Sequence, residues 1–259
     1  MSEEGSLQEE KRRMRVVELP LGVTEDRLVG TLDIEHAIKR GEKKFEPGIL
    51  AEANRNFLYV DEVNLLEDHI VDLLLDAAAM GVNTVEREGV SFVHPARFIL
   101  VGTMNPEEGD LRPQFLDRFG LCVRIESLQE KAERKEILKR RAAFDADADS
   151  FLHQWRDEQQ TLAGNIVQAQ QRIQKVEFAD QALDRIVEIT TALSLDGHRG
   201  DIVIMRTAQA LAALKDHASI TSDDVRDAAH LALRHRMKRL PFEEIGLESE
   251  KLQTALADL

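Results

Sequence analysis

The chain is sparing with the residues that brace small or secreted folds. Its 259 residues include one cysteine, six prolines, one tryptophan and one tyrosine, and aromatics make up only 5%. A lone Cys122 excludes an internal disulfide and a cysteine-cluster metal site. Within the apolar run Leu121-Cys122-Val123-Arg124-Ile125 it reads as a buried, inert thiol on a strand. No apolar run approaches the ~20 residues of a membrane span. The opening Met1-Ser2-Glu3-Glu4-Gly5 has neither the basic start nor the apolar core of a signal peptide. A reducing compartment is therefore expected, cytoplasm or an equivalent such as a plastid stroma. Positive charge is also short: 34 Lys+Arg against 48 Asp+Glu gives a net charge of −14. A nucleic-acid footprint needs a basic face, so that class of partner is not expected. The local basic stretch Arg234, His235, Arg236, Lys238 and Arg239 reads as a solvated helix face or a contact for an acidic partner. His69, His94, His153 and His198 lack ligand spacing, so zinc is unsupported. Asp145-x-Asp147-x-Asp149 lacks the glycine and glutamate of a calcium loop, with Ser150 and Arg156 in their places. It reads as an exposed loop capping the next helix.

What remains is ordinary globular material, 43% hydrophobic and 32% charged, enough for one large core or two modest ones. Residues 1–15 are polar and expected to be frayed. Val16–Gly22 reads as a strand broken at Pro20, Asp33–Gly41 as a short helix stopped by its glycine, and Ile49–Asn54 as another. Phe57–Val60 reads as a strand and Asn64–Met80 as an amphipathic helix ending at Gly81. Thr84–Val93 alternates around Glu88-Gly89 as a hairpin, and Phe98–Val101 follows as a strand. Beyond Leu128 the strands stop. Glu130–Phe144, Phe151–Ile173, Asp180–Leu195, Ile202–Lys215 and Ser222–Lys238 read as helices, the last with the N-cap cluster Thr221-Ser222-Asp223-Asp224. The expected layout is an α/β core over residues 16–127 followed by an all-helical lid over 128–259.

Chemistry concentrates in three places. Asn56-Phe-Leu-Tyr-Val-Asp-Glu62 is a short apolar strand ending in two carboxylates. In P-loop NTPases such a strand delivers an Asp to nucleotide-bound Mg²⁺, and the next Glu can polarise the attacking water. Arg97-Phe-Ile-Leu-Val-Gly-Thr-Met-Asn-Pro106 repeats the design with an Asn at the strand end, and Asp117-Arg118-Phe119-Gly120 follows. That is the order in which an AAA+ ATPase presents Walker B, sensor 1 and arginine finger. The partner motif is missing. No Gly-x-x-x-x-Gly-Lys-Ser/Thr loop occurs, and neither Gly41-Glu42-Lys43-Lys44 nor Gly197-His198-Arg199-Gly200 fits it.

Longer stretches resemble the I subunit of magnesium chelatase. They include Leu19-Pro-Leu-Gly-Val-Thr-Glu-Asp26, Phe45-Glu-Pro-Gly48 and Leu58-Tyr-Val-Asp-Glu-Val-Asn-Leu-Leu-Glu-Asp-His69. Asn105-Pro-Glu-Glu-Gly-Asp-Leu-Arg-Pro113, Leu116-Asp-Arg-Phe-Gly120 and Asp196-Gly-His-Arg-Gly-Asp201 continue the likeness. The resemblance implies a partial AAA+ α/β core carrying the Walker B and sensor 1 strands, then a helical lid. It also implies an ATP-driven motor that inserts Mg²⁺ into protoporphyrin IX for chlorophyll or bacteriochlorophyll synthesis. Such a motor works in a ring with I and D subunits and a porphyrin-binding H subunit. By this resemblance Asp61 holds Mg²⁺ through the nucleotide, Glu62 activates water and Asn105 is sensor 1. Arg118 is the finger reaching a neighbour, Asp117 supports it, and Arg206 is sensor 2 at a lid-helix start, with Arg199 as rival.

With no P-loop in it, the chain is read against that resemblance as a truncated or split I subunit, and its sheet is expected to be incomplete with exposed edges, residues 1–15 standing where the family's core begins. Without Mg²⁺-nucleotide between them, Asp61 and Glu62 are expected to raise the pKa of one of the pair. Two alternatives stay open. One is a non-hydrolytic ring component acting as an interaction module, the other a MoxR-like chaperone ATPase, which lacks the Leu-Pro-Leu-Gly and Gly-Asp-Leu-Arg-Pro signatures. A D subunit is excluded by the lack of an acidic proline-rich linker and of an Asp-x-Ser-x-Ser motif.

Overall fold

The computed structural model describes residues 12–33, 44–87, 90–109, 111–195 and 197–237, together with 252 and 254. The chain divides into two compact units, Met1–Arg118 and Phe119–Leu259, where the sequence placed the division near Ser127.

Three short apolar runs build the sheet of the first unit. Val16–Leu19 (β1), Phe57–Val60 (β4) and Ile99–Gly102 (β7) lie in the order β1-β4-β7, all parallel, with Val17↔Leu58↔Leu100 and Leu19↔Val60↔Gly102 in register. Val17, Leu19, Leu58 and Val60 alternate onto the buried face, and Pro20 ends β1 as its missing N–H requires. The other face is only partly covered among the described residues, with Phe57 and Tyr59 half-buried. Ile99 is 51% and Val101 41% exposed, and Val16 beside them is more so. Parallel sheets normally bury both faces, so the expected exposure is one of a face as well as of edges.

Around the sheet lie Glu25–Val29 (α1), Ile49–Glu52 (α2) and Asp68–Met80 (α3), which stops at left-handed Gly81. Gly30–Asp33 (β2) pairs antiparallel with Lys44–Pro47 (β3), a ribbon the sequence pattern did not announce. Gly30 has φ +102°, and a Cβ there would sit 2.5 Å from the Phe45 ring, so glycine is required. Val82–Arg87 (β5) and Val90–Pro95 (β6) form the expected hairpin. Its Glu88-Gly89 turn, the helix expected over 33–41 apart from Asp33, which ends β2, and residues 1–11 of the stretch expected to be frayed lie outside the described residues. The single-turn helix Pro113–Leu116 (α4) precedes Asp117.

The second unit is helical: Lys131–Ala146 (α5), Ala148–Gln154 (α6), Arg156–Arg172 (α7), Asp180–Ala192 (α8), Arg199–Leu214 (α9) and Ser222–Leu233 (α10). Its core sets Ile186, Ile189, Ile204, Val225 and Leu233 against a run of alanines, Ala208, Ala212 and Ala213 on α9 and Ala228, Ala229 and Ala232 on α10. Small residues at these positions allow the two backbones to approach closely. The expected helix over 151–173 is broken at Trp155, and Asp147 caps α6 through Ser150 N–H at 3.0 Å, the capping role read from the sequence. The strand expected over Leu121–Ile125 is absent. Among the described residues that stretch pairs with no strand; the Cys122 N–H donates to the Leu231 carbonyl at 2.9 Å. Cys122 is consequently half-buried rather than buried.

Asp224, fully buried, ties the turn before α10 together. Its Oδ2 accepts hydrogen bonds from Thr221 Oγ1 (2.8 Å) and Thr221 N–H (3.1 Å) and lies 2.8 Å from His217 Nδ1, while Lys215 Nζ stands 3.1 Å from Oδ1. Burial pushes the carboxyl up, but His217, Thr221 and Lys215 together outweigh it and hold the pKa at about 2. The folded value lies below the unfolded one of about 3.9, so this contribution is present above pH about 4 and is lost as pH falls towards 2. D224A is expected to cost about 3 kcal/mol in denaturant unfolding at pH 7. The gap to the unmodified chain should narrow as pH falls through that window, and a gap independent of pH would contradict the assignment.

Candidate functional site

The site is built where β4 and β7 end side by side. Thr103 N–H donates to the Val60 carbonyl at 3.0 Å and Val63 N–H to the Thr103 carbonyl at 2.8 Å, which continues the pairing one residue past both strands. Asp61 and Glu62 on one strand end thereby face Thr103 on the other, at the carboxyl edge where open α/β sheets bind ligands.

Asp61 is exposed, and its Oδ1 accepts hydrogen bonds from Thr103 Oγ1 at 2.6 Å and Tyr59 Oη at 3.0 Å. The Thr103 bond first, then that from Tyr59, holds the carboxyl below its ordinary value against a small opposing effect of burial. The expected upward shift from mutual repulsion is therefore not what Asp61 shows: donors from the neighbouring strand end stabilise the anion. Glu62 takes the left-handed conformation, φ 53° and ψ 54°, uncommon for a residue with a Cβ. Its N–H donates to Thr103 Oγ1 at 3.0 Å. Asn64 Nδ2 reaches the Gly109 carbonyl at 3.1 Å and ties the two loops further on. Asn105 caps the turn Pro106–Glu108, its Oδ1 accepting from Glu107 N–H at 3.2 Å.

Among the described residues no group of three or more His, Cys, Asp or Glu could hold a metal by itself. Asp61 fits Mg²⁺ as one hard oxygen ligand in a sphere otherwise completed by phosphate and water, the usual way this ion is bound.

Arg118 follows α4 and lies on the surface, its side chain 36% exposed, but it is engaged. Nη1 stands 2.8 Å from Asp76 and 3.5 Å from Asp72 on α3. Asp68, Asp72 and Asp76 recur every fourth residue, one stripe of the helix, and Arg112 pairs with Asp68 at its other end. Both carboxylates facing Arg118 are themselves surface groups. Asp117 is half-buried at the end of α4. Arg206 is exposed in the middle of α9, not at its start, and Arg199 is the residue that opens that helix. Of the C-terminal basic stretch, Arg234 is exposed, whereas Arg236 donates to the carbonyls of Phe119 (2.7 Å) and Gly120 (3.0 Å), with His235 Nε2 2.9 Å from the former; Lys238 and Arg239 lie outside the described residues. Tyr59 and Thr103 were missed by sequence reasoning. The signal for them was present, since Tyr59 lies two residues before Asp61 on the same strand face and Thr103 is opposite Asp61 once the two strand ends are aligned.

Parallel strands ending in Asp-Glu and Thr-x-Asn, with a separate helical unit, define an AAA+ ATPase fold. Residues 183–255 match the AAA lid domain. A crystal structure of a Cytophaga hutchinsonii protein taken to be an ATPase shares the fold with a TM-score of 0.66 at 18% identity, over 95% of this chain and 77% of that one. Residues 34–114 match the family described as magnesium chelatase, subunit ChlI. The magnesium-chelatase subunit ChlI homolog of Methanocaldococcus jannaschii is 55% identical over 249 residues, 96% of this chain and 68% of the relative. The magnesium-chelatase 38 kDa subunit of Rhodobacter capsulatus is 52% identical over 239 residues, 92% of this chain and 68% of the relative. The chain belongs to the magnesium chelatase I subunit family.

Because its partners are exposed, the Arg118 ion pair contributes little to stability. R118A should change the unfolding free energy by less than about 1 kcal/mol in a denaturant titration. A loss above about 2 kcal/mol would show that Arg118 is a structural tie rather than a group available to another chain.

Proposed function

We propose that this chain acts as an I-type motor component of a magnesium chelatase. It would couple ATP hydrolysis to Mg²⁺ insertion into protoporphyrin IX, in chlorophyll or bacteriochlorophyll synthesis. The observation that carries this reading is the Asp61-Glu62 pair, exposed at Asp61 and half-buried at Glu62, fastened to Thr103 at the carboxyl ends of two parallel strands, with Asn105 two residues further along. Asp61 holds the nucleotide's Mg²⁺, Glu62 orients and deprotonates the attacking water, and Asn105 contacts the γ-phosphate or that water through its amide. Arg118, supported by Asp117, leaves Asp72 and Asp76 to reach the nucleotide of a neighbouring subunit. Exchanging a surface ion pair costs about 1 kcal/mol or less, so the transfer is feasible. Residues 128–259 are the helical lid unit in this reading and carry the sensor 2 candidate, Arg206 or Arg199.

These 259 residues contain no P-loop sequence. Phosphoryl transfer rests on positioning and electrostatics, and loss of one well-placed donor typically costs about 10²–10³ in rate. In this reading the chain works within a ring, alongside I and D subunits and a porphyrin-binding H subunit. The surface position of Arg118 also fits a second reading, in which the chain is an interaction module that contributes this arginine in trans without turning over ATP itself.

Purified alone, the chain is expected neither to bind Mg·ATP tightly nor to hydrolyse it. Mixed with an I subunit that carries the P-loop, it should form a ring whose ATP turnover drops on R118A. A further drop on E62Q separates the motor reading from the interaction module, for which Glu62 is silent. Magnesium-dependent turnover by the isolated chain, abolished by E62Q, would refute the dependence on partners.

A further inference from the structure

Thr103 makes the contacts of a residue built to hold the carboxylate pair in place. A threonine hydroxyl has one proton and two lone pairs. Here the proton goes to Asp61 Oδ1 at 2.6 Å and a lone pair accepts the Glu62 N–H at 3.0 Å. One hydroxyl thus fixes the side chain of the first acid and the backbone of the second. Its own backbone is clamped on both sides, N–H to the Val60 carbonyl and carbonyl to the Val63 N–H. The hydroxyl therefore sits on a fixed strut and not on a mobile loop.

The backbone it holds is one that would otherwise relax. Glu62 is among the few residues with a side chain at positive φ, and such conformations persist where the surroundings over-determine them. At Glu62 itself two contacts oppose relaxation, its carbonyl accepting from Leu65 N–H at 2.8 Å and its N–H donating to Thr103 Oγ1, and the second is the one a side chain supplies. Tyr59 supports only half of the arrangement, its hydroxyl reaching Asp61 Oδ1 at 3.0 Å. With Oδ1 held by two donors, Oδ2 is left to meet a cation.

We propose that Thr103 is a positioning residue for the Asp61-Glu62 pair: its hydroxyl aims the free oxygen of Asp61 outward and locks Glu62 in the left-handed conformation that presents its side chain to the site. The inference rests on the nucleotide reading above for its consequence in turnover, but its structural content can be measured without nucleotide. Three variants separate the contacts. T103V removes both hydrogen bonds at nearly constant shape, T103S keeps both, and Y59F removes one from Asp61 while leaving the Glu62 N–H untouched.

Amide hydrogen exchange on the full chain reads the placement. The Glu62 amide should exchange at least about tenfold faster in T103V, return to the unmodified rate in T103S and stay at that rate in Y59F. In the ring formed with P-loop-bearing I subunits, T103V should lower turnover by about 10–100-fold with little change in KM, and T103S should restore most of it. Unaltered Glu62 exchange in T103V overturns the proposal, as does turnover by the T103V ring equal to that of the unmodified ring. An unmodified ring with no turnover removes the nucleotide reading instead, and the exchange rates still decide whether Thr103 holds Glu62.

Discussion

The parallel pairing of β4 with β7 is the constraint on which the rest depends. Buried Leu58 and Val60 hold β4 in one register, and slipping the pairing by a residue would turn them to the open face. That register places Val60 opposite Gly102 and so Asp61 opposite Thr103. Two backbone hydrogen bonds carry it beyond the strands, and every polar contact of the site is made on top of them. Apolar burial a few residues upstream thereby sets the geometry of the Asp61-Glu62 pair.

Two acids of this protein are held below the ordinary carboxylate range by hydrogen-bond donors, with opposite consequences. Asp224 is sealed in the helical unit, where its donors must offset the cost of burial, so its charge serves cohesion. Asp61 is exposed, pays little for desolvation and receives its donors on one oxygen only. Its charge is organised but not consumed, as a cation ligand requires. The stripe Asp68, Asp72 and Asp76 shows a third use of acid, a surface rest for Arg112 and Arg118.

Much of this was legible in the sequence. Short apolar runs ending in Asp-Glu and in Gly-Thr-Met-Asn gave two adjacent parallel strands, because β-branched and aromatic residues bounded by polar ends have few other solutions. Helical periodicity gave the second unit, within a few residues at most helix ends. Leu121–Ile125 misled because an apolar run states a tendency to extend but not whether a partner strand exists. Gly30–Asp33 and Lys44–Pro47 were missed for the converse reason, since Glu46-Pro47-Gly48 reads as a turn while the ribbon is closed by a pairing distant in sequence. Arg206 was placed at a helix start because Ile202 looked like the first helical residue, whereas α9 opens at Arg199. Tyr59 and Thr103 read as strand formers until the strand ends were aligned, and only the three-dimensional register gave their hydroxyls a role.

The central claim is that the nucleotide's metal sits at the joined ends of β4 and β7. Replacing Mg²⁺ by Fe²⁺ in a ring of this chain and P-loop-bearing I subunits, then generating hydroxyl radicals at the bound iron, cuts the backbone close to the metal, and the cuts can be mapped by mass spectrometry. The account predicts ATP-dependent cleavage of this chain on either side of Asp61-Glu62 and at Thr103–Asn105, suppressed by excess Mg²⁺. Cleavage that is indifferent to ATP, or that falls elsewhere in this chain while sparing both strand ends, would contradict it.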